Sequence, residues 1–246
     1  MKTKKISSVV LIACLISLYG FAQESNTDYQ MASIVFIDAK IGHEKDFESK
    51  VIEHNNKFHN EAPNKGYLDQ VISGKNAGTY VWVMGPCTFT DLENMNPGDG
   101  HEEHWDTEVV PLIKGYGAQE YWRFNEKLSY YPNPVVNRKF ANLWLIDLKR
   151  GDYYRFKTLM GKIAEAYEKK GTGNMRVYDN QFNADDGRDV VIIWDMENMA
   201  ELDIMDPIKP AYEEVNGEGS WDTMLEEWEE ITLKIDSQLW RVNITK

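Results

Sequence analysis

The 246-residue chain has only two cysteines, Cys14 and Cys87. A disulfide-stapled scaffold is therefore excluded, and stability must come from packed cores. Basic charge is also scarce: 27 Lys and Arg stand against 40 Asp and Glu, a formal net charge of −13. Nucleic acid and anionic lipid both demand a basic footprint, so neither suits such a surface. The chain carries no glycine-rich phosphate loop, nucleophile elbow, Cys-His pair or calcium-loop pattern, which leaves no strong catalytic signature to read.

One apolar run stands out, and it sits at the start. Met1-Lys2-Thr3-Lys4-Lys5 is a basic segment, Ile6 to Leu18 is apolar, and Gly20-Phe21-Ala22 before Gln23 has the small-x-small form of a signal-peptide cleavage site. Residues 1–22 are thus expected to be a removed leader, and the mature chain to be secreted or periplasmic, with no membrane insertion after cleavage. Leu11-Ile12-Ala13-Cys14 could instead mark lipid attachment at Cys14, but Leu15, Ile16 and Leu18 are apolar where a tether should be polar. Loss of Lys2, Lys4 and Lys5 leaves 24 basic against 40 acidic residues, a net charge of −16, and Cys87 alone. In style the leader resembles those of secreted proteins of the Bacteroidota.

What remains is written twice. Ile37-Asp38-Ala39-Lys40-Ile41-Gly42 with Phe47 returns as Ile146-Asp147-Leu148-Lys149-Arg150-Gly151 with Phe156. Met95-Asn96-Pro97 returns as Met205-Asp206-Pro207, Trp105-Asp106-Thr107 as Trp221-Asp222-Thr223, and Trp122-Arg123-Phe124-Asn125 as Trp240-Arg241-Val242-Asn243. A spacing that grows only from 109 to 118 residues suits a duplicated small domain. The expected units are 23–128 and 138–246, joined by a linker over 129–137 that contains Tyr130-Tyr131-Pro132-Asn133-Pro134.

Each unit has the same order of patterns. A β-branched strand (Met31 to Asp38; Phe140 to Asp147) leads through Gly42 or Gly151 into a helix, marked by Phe47, Val51, His54 and Phe58, or by Phe156, Leu159, Ile163 and Tyr167. A hairpin follows (Tyr67 to Ile72 with Thr79 to Met84; Met175 to Phe182 with Asp189 to Trp194, around Asp185-Asp186-Gly187). Then comes a broken second helix, and last a strand over Glu120 to Asn125 or Gln238 to Asn243. Asp99 with Glu102 has the form of a capping box for a helix from about Gly100.

The sum is βαββαβ twice, an α+β chain of two ferredoxin-like units. Strands such as Val81-Trp82-Val83-Met84 and Leu143-Trp144-Leu145-Ile146 are apolar on both alternating faces. Both faces must then be covered, one by helices and the other by the second unit, sheet to sheet.

On this element order and patterning the chain resembles the dimeric α/β-barrel superfamily, here as a fused tandem repeat in one polypeptide. That resemblance implies a pseudo-dimeric α/β barrel and a site between a sheet and its helices or near the barrel mouth. Activities within the superfamily include cofactor-free oxygenation of quinols and haem degradation. For the haem-degrading branch it implies an Asn, a Trp and a His in one unit. The second unit has Asn142 and Trp194 but no histidine, whereas the first has His101 and His104 but Ser33 and Met84-Gly85 in the other places.

All five histidines (His43, His54, His59, His101, His104) fall in the first unit. His101 and His104 share a helix face and are the candidate catalytic pair, with Trp82, Trp105, Trp122 and Arg123 as candidate ligand-binding residues. Two imidazoles three residues apart could meet one metal, but the sequence names no third ligand, so no metal and no cofactor is assigned. The bland readings are a solvated first turn for His101 to His104, a neutral core histidine at His54, core tryptophans with exposed or acid-paired arginines at Arg123 and Arg241, and helix anchors at Trp105 and Trp221. Glu226, Glu227, Glu229 and Glu230 form an acidic helix face, usually just solvated.

The expected function is a secreted protein that binds a small apolar or aromatic ligand. The alternatives are a cofactor-independent monooxygenase-like enzyme with His101 or His104 as base, and a structural or interaction module. The expected assembly is a monomer with an internal pseudo-dimer, or a higher homo-oligomer, with no nucleic-acid partner.

Overall fold

The computed structural model describes residues 29–182, 188–204 and 207–245. The expected leader and the turn Asp185-Asp186-Gly187 lie outside them. The first half runs β1 (Met31–Ala39), α1 (Glu44–Phe58), β2 (Gly66–Ser73), β3 (Tyr80–Cys87), α2 (Phe89–Glu93), α3 (His101–His104) and β4 (Ile113–Phe124). The second repeats it as β5 (Phe140–Leu148), α4 (Tyr153–Lys170), β6 (Arg176–Asn180), β7 (Val190–Met196), α5 (Lys209–Asn216), α6 (Ser220–Ile231) and β8 (Thr232–Arg241). Gly42 and Gly151 turn β1 into α1 and β5 into α4 with φ of +84° and +94°, a conformation that a side chain would oppose.

The eight strands close into a barrel in the order β1-β3-β2-β8-β5-β7-β6-β4, with antiparallel pairing throughout. Each half contributes four neighbouring strands in the ferredoxin-like order, β4-β1-β3-β2 and β8-β5-β7-β6. The halves meet edge to edge, where Val71 pairs with Trp240 and Phe124 with Tyr178. Closure turns the helix-free faces inward, although β4 meets β6 only over Trp122–Phe124 and β8 meets β2 only over Leu239–Arg241. That is how the doubly apolar strands are covered.

Three cores result. Ile34, Phe36, Val71, Val81, Trp122, Leu143, Leu145, Val191 and Trp240 line the barrel interior. On the outside, Phe47, Val51, Leu68, Tyr80 and Val109 hold the first half's helices to its strands. Ile146, Phe156, Leu159, Met160, Ile192 and Tyr212 do the same in the second half.

Three local expectations change. Strand β4 begins at Ile113 and β8 at Thr232, well before Glu120 and Gln238. Gly115 and Gly117 gave the early part of β4 a weak strand pattern, yet a Cβ at Gly117 would stand 3.0 Å from the Phe36 Cβ, so glycine is what lets β4 approach β1 there. The expected cap at Asp99 does not form: Gly100, at φ +79°, precedes α3 with no side-chain bond. The acidic face of α6 is not simply solvated, because Arg155 pairs with Glu227 and Glu230.

Candidate metal centre

Helix α1 buries one stripe, and that stripe ends in polar residues. Phe47 and Val51 are fully buried, His54 is 1% exposed and Asn55 is buried beside it. His59 follows directly as the residue that closes the helix, its N–H on the Asn55 carbonyl at 2.8 Å. Its own carbonyl accepts the N–H of Gly66, the first residue of β2, so the connecting loop is clipped at both ends.

His101 and His104 arrive from the other side. They lie on the single turn of α3, which widens at once into a π-helical turn over Trp105–Val109. Such turns are uncommon and concentrate at functional sites. Here the turn sets Trp105 against His54, with ring centroids 5.0 Å apart, and lets its indole N–H donate to the Tyr116 hydroxyl at 3.0 Å.

Four imidazoles therefore converge. His59 Nε2 stands 2.9 Å from His101 Nε2, and His54 Nδ1 stands 3.2 Å from His104 Nδ1. One nitrogen each from His54, His59 and His101 lies within 4.8 Å of the others, a three-ligand constellation. Two ligands of one tetrahedral zinc-class ion stand ~3.3 Å apart, as follows from metal–nitrogen bonds of ~2.0–2.1 Å. The 2.9 Å His59–His101 pair would open slightly and the wider separations would close for all three to reach one ion.

The protonation chemistry suits ligation. Burial, followed by the neighbouring His101, His59, His104 and Lys57, pushes His54 down to about 3. Burial also holds His59 and His101 below the ordinary histidine value. All three are neutral at pH 7, the form that offers a lone pair to a metal. His59 Nδ1 lies 3.0 Å from the Asn64 carbonyl; with the proton on Nδ1 it donates there and leaves Nε2 as the free ligand atom.

Aromatic rings wall the cluster. Trp82 packs edge-on against His59 at 5.2 Å and donates its indole N–H to Asn55 Oδ1 at 2.9 Å, while Phe58 covers His101 and His104. Glu53 lies 3.8 Å from His104 Nε2, on the side nearest solvent.

The structure thus brings together His101, His104, Trp82 and Trp105, and adds His54 and His59. It does not bring Trp122 or Arg123 to them. Trp122 points into the barrel, its indole N–H on Glu120 at 2.9 Å, and Arg123 stacks on Tyr29 at 4.1 Å. Neighbours on a strand face opposite ways, so the two could not line one pocket. Arg241, the matching arginine, is held by Glu48 and Gln70.

The first turn of α3 is not merely solvated, since both of its histidines are half-buried against α1. His54 is a buried neutral histidine, but one with imidazole neighbours. His59 escaped the sequence reading because it lies past the last helical position of the stripe. The confinement of every histidine to one half was the available signal.

Among the described residues, the second half has no such centre. Ile163 takes the place of His54 and packs into the core with Trp144, Trp194 and Trp228. Trp194 pairs with Asn142 across the strands but donates to the Tyr167 hydroxyl, and no histidine accompanies them. The set implied for haem degradation is complete in neither half.

No family model and no curated protein sequence matches the chain. Solved structures do resemble it. One is a protein of Fusobacterium nucleatum provisionally named a monooxygenase, at TM-score 0.55 and 11% identity over 88% of this chain and 93% of that one. Another, from Lactobacillus acidophilus and named in the same provisional way, has TM-score 0.51 and 13% identity over 88% and 95%. A chlorite dismutase variant from Candidatus Nitrospira defluvii has TM-score 0.52 and 12% identity over 87% and 91%. At these identities the likeness concerns the fold alone: this chain folds as the α/β barrel of two ferredoxin-like units that those proteins share.

Proposed function

We propose that this protein is a metalloenzyme of the oxygenase type, whose centre is a transition-metal ion held by His54, His59 and His101 in the first half. The observation that carries the reading is the three-nitrogen constellation within 4.8 Å, built from two helices that share no sequence motif. Three neutral imidazoles would hold zinc, copper, iron or nickel, of which copper or iron could supply the redox chemistry an oxygenase requires, with a coordination position left for substrate or oxygen. His104, 3.2 Å from His54, orients that ligand and is the nearest further base. Trp82, Trp105 and Phe58 favour a small aromatic or apolar substrate beside the centre. The provisional monooxygenase names of similarly folded proteins support the reaction class, and residues 1–22 support action outside the cytoplasm.

A cofactor-free reading is favoured by one observation, the 2.9 Å contact between His59 and His101, which could pass a proton as a two-imidazole relay. Oxygen uptake separates the two. Copper- or iron-loaded protein supplied with hydroquinone-type phenols should consume oxygen, and metal-free protein or His59→Ala should not. Uptake by metal-free wild type that is lost in His101→Ala would transfer the chemistry to the relay.

A further inference from the structure

The barrel interior is not filled. It holds a cavity of about 340 Å³, at the small end of the ~300–1,000 Å³ usual for small-molecule sites. Its walls are inward side chains of both halves, among them Ile34, Trp122, Leu143, Val191 and Trp240. The histidine cluster lies on the outer face of the same sheet, so the two sites are separate and this inference does not depend on the metal.

One end of the cavity is charged. Arg138 and Arg176 line it together with Asp69, Tyr131 and Tyr178. Both guanidiniums reach the same oxygen of Asp195, Arg176 at 2.6 Å and Arg138 at 3.3 Å, and the Asp195 carboxylate is wholly buried. Arg176 also donates to the Tyr178 hydroxyl at 2.7 Å, yet its Nε is buried with no partner. Two fixed positive charges thus share one fixed negative oxygen. The other carboxyl nearby, Asp69, is pushed up to about 6 by burial, although Arg138, the Asn243 N–H and Arg176 pull it down and Asp195 adds to the rise. Asp69 is therefore the group that gives up its charge most readily when another anion comes close.

We propose that the barrel is a second ligand site, which takes a single-chain amphipathic carboxylate with its apolar body along Ile34, Trp122, Leu143 and Val191 and its carboxylate at Arg138 and Arg176. Guanidinium groups bind carboxylates through charge-assisted, often bidentate hydrogen bonds, and an apolar tunnel with one cationic end discriminates an acid from its uncharged twin. Arg138 is the adaptable partner, more exposed than Arg176 and at the longer distance from Asp195.

The test is calorimetric titration of the full chain at neutral pH with dodecanoate and with dodecanol. Wild type should bind one dodecanoate and should bind dodecanol about tenfold more weakly. Arg138→Gln should weaken dodecanoate about tenfold and leave dodecanol unchanged. Ala141→Phe, which places a ring in the cavity, should weaken both. If that variant does not fold, Arg138→Gln decides alone. The proposal is overturned if wild type binds neither compound, if it binds both equally, or if folded Arg138→Gln keeps the wild-type affinity for dodecanoate.

Discussion

The Nε2 atoms of His59 and His101 lie 2.9 Å apart, although 42 residues and two strands separate them in the chain. Neither side chain belongs to a long regular element: one closes α1 and the other opens the single turn of α3. Their approach depends on the loop that returns to β2, the π-helical turn, and the packing of Trp82 and Trp105. A metal bound there would be a consequence of tertiary structure rather than of any local motif.

Gly66 tests the tolerance of this arrangement. An added Cβ would stand 2.9 Å from Asn55 Oδ1 and 3.0 Å from the His59 Cβ. Gly66→Ala should therefore displace His59 and the Asn55 side chain that receives the Trp82 indole, lowering metal affinity by about 10–100-fold. Calorimetric titration with Zn²⁺ reads this directly, and unchanged affinity in the folded variant would mean that His59 is not a ligand.

Asp69 gives stability a pH dependence of defined sign. The folded state holds its proton up to about 6, against an ordinary value of 3.8. In that interval the folded chain binds more protons than the unfolded chain, so this contribution is complete below the ordinary value and is lost as pH rises through about 6. Asp69→Asn should gain on wild type by on the order of 3 kcal/mol between about pH 4 and about pH 7, measured by urea unfolding. Equal slopes for the two proteins would contradict the assignment.

The second half should support the fold without serving the metal. Phe156 is fully buried between α4 and its sheet, so Phe156→Ala should cost about 3–5 kcal/mol of stability. Below its melting temperature the variant should hold as much metal as wild type. Loss of metal from the folded variant would place part of the centre in the wrong half.

Export should produce a chain that begins at Gln23 with no acyl group on Cys14. The intact mass of protein recovered outside the cytoplasm reports both. A lipid-bearing species that starts at Cys14 would reverse the expectation.

Much of the fold was legible in the residues. Strand periodicity, the turns at Gly42 and Gly151, and strands apolar on both faces such as Val81 to Met84 led to two βαββαβ units with covered faces. Closure into a barrel depends on pairings such as Val71 with Trp240, which no local pattern encodes. The early part of β4 was hidden because Gly115 and Gly117 weaken its strand pattern, Gly117 serving a close approach to β1 at Phe36. The site was half legible. Histidines confined to the first half pointed to α3, and His101 with His104 share a face by helical spacing alone. His59 could not be joined to them without tertiary structure, and Trp122 and Arg123, neighbours on one strand, face opposite ways.

Metal content per chain, measured by elemental mass spectrometry after exposure to zinc, cobalt, copper and iron and then dialysis, tests the central claim most directly. Wild type should retain roughly one ion per chain, and a folded His59→Ala/His101→Ala double variant close to none. A wild type that retains no ion, or a double variant that retains as much as wild type, would contradict the metal centre.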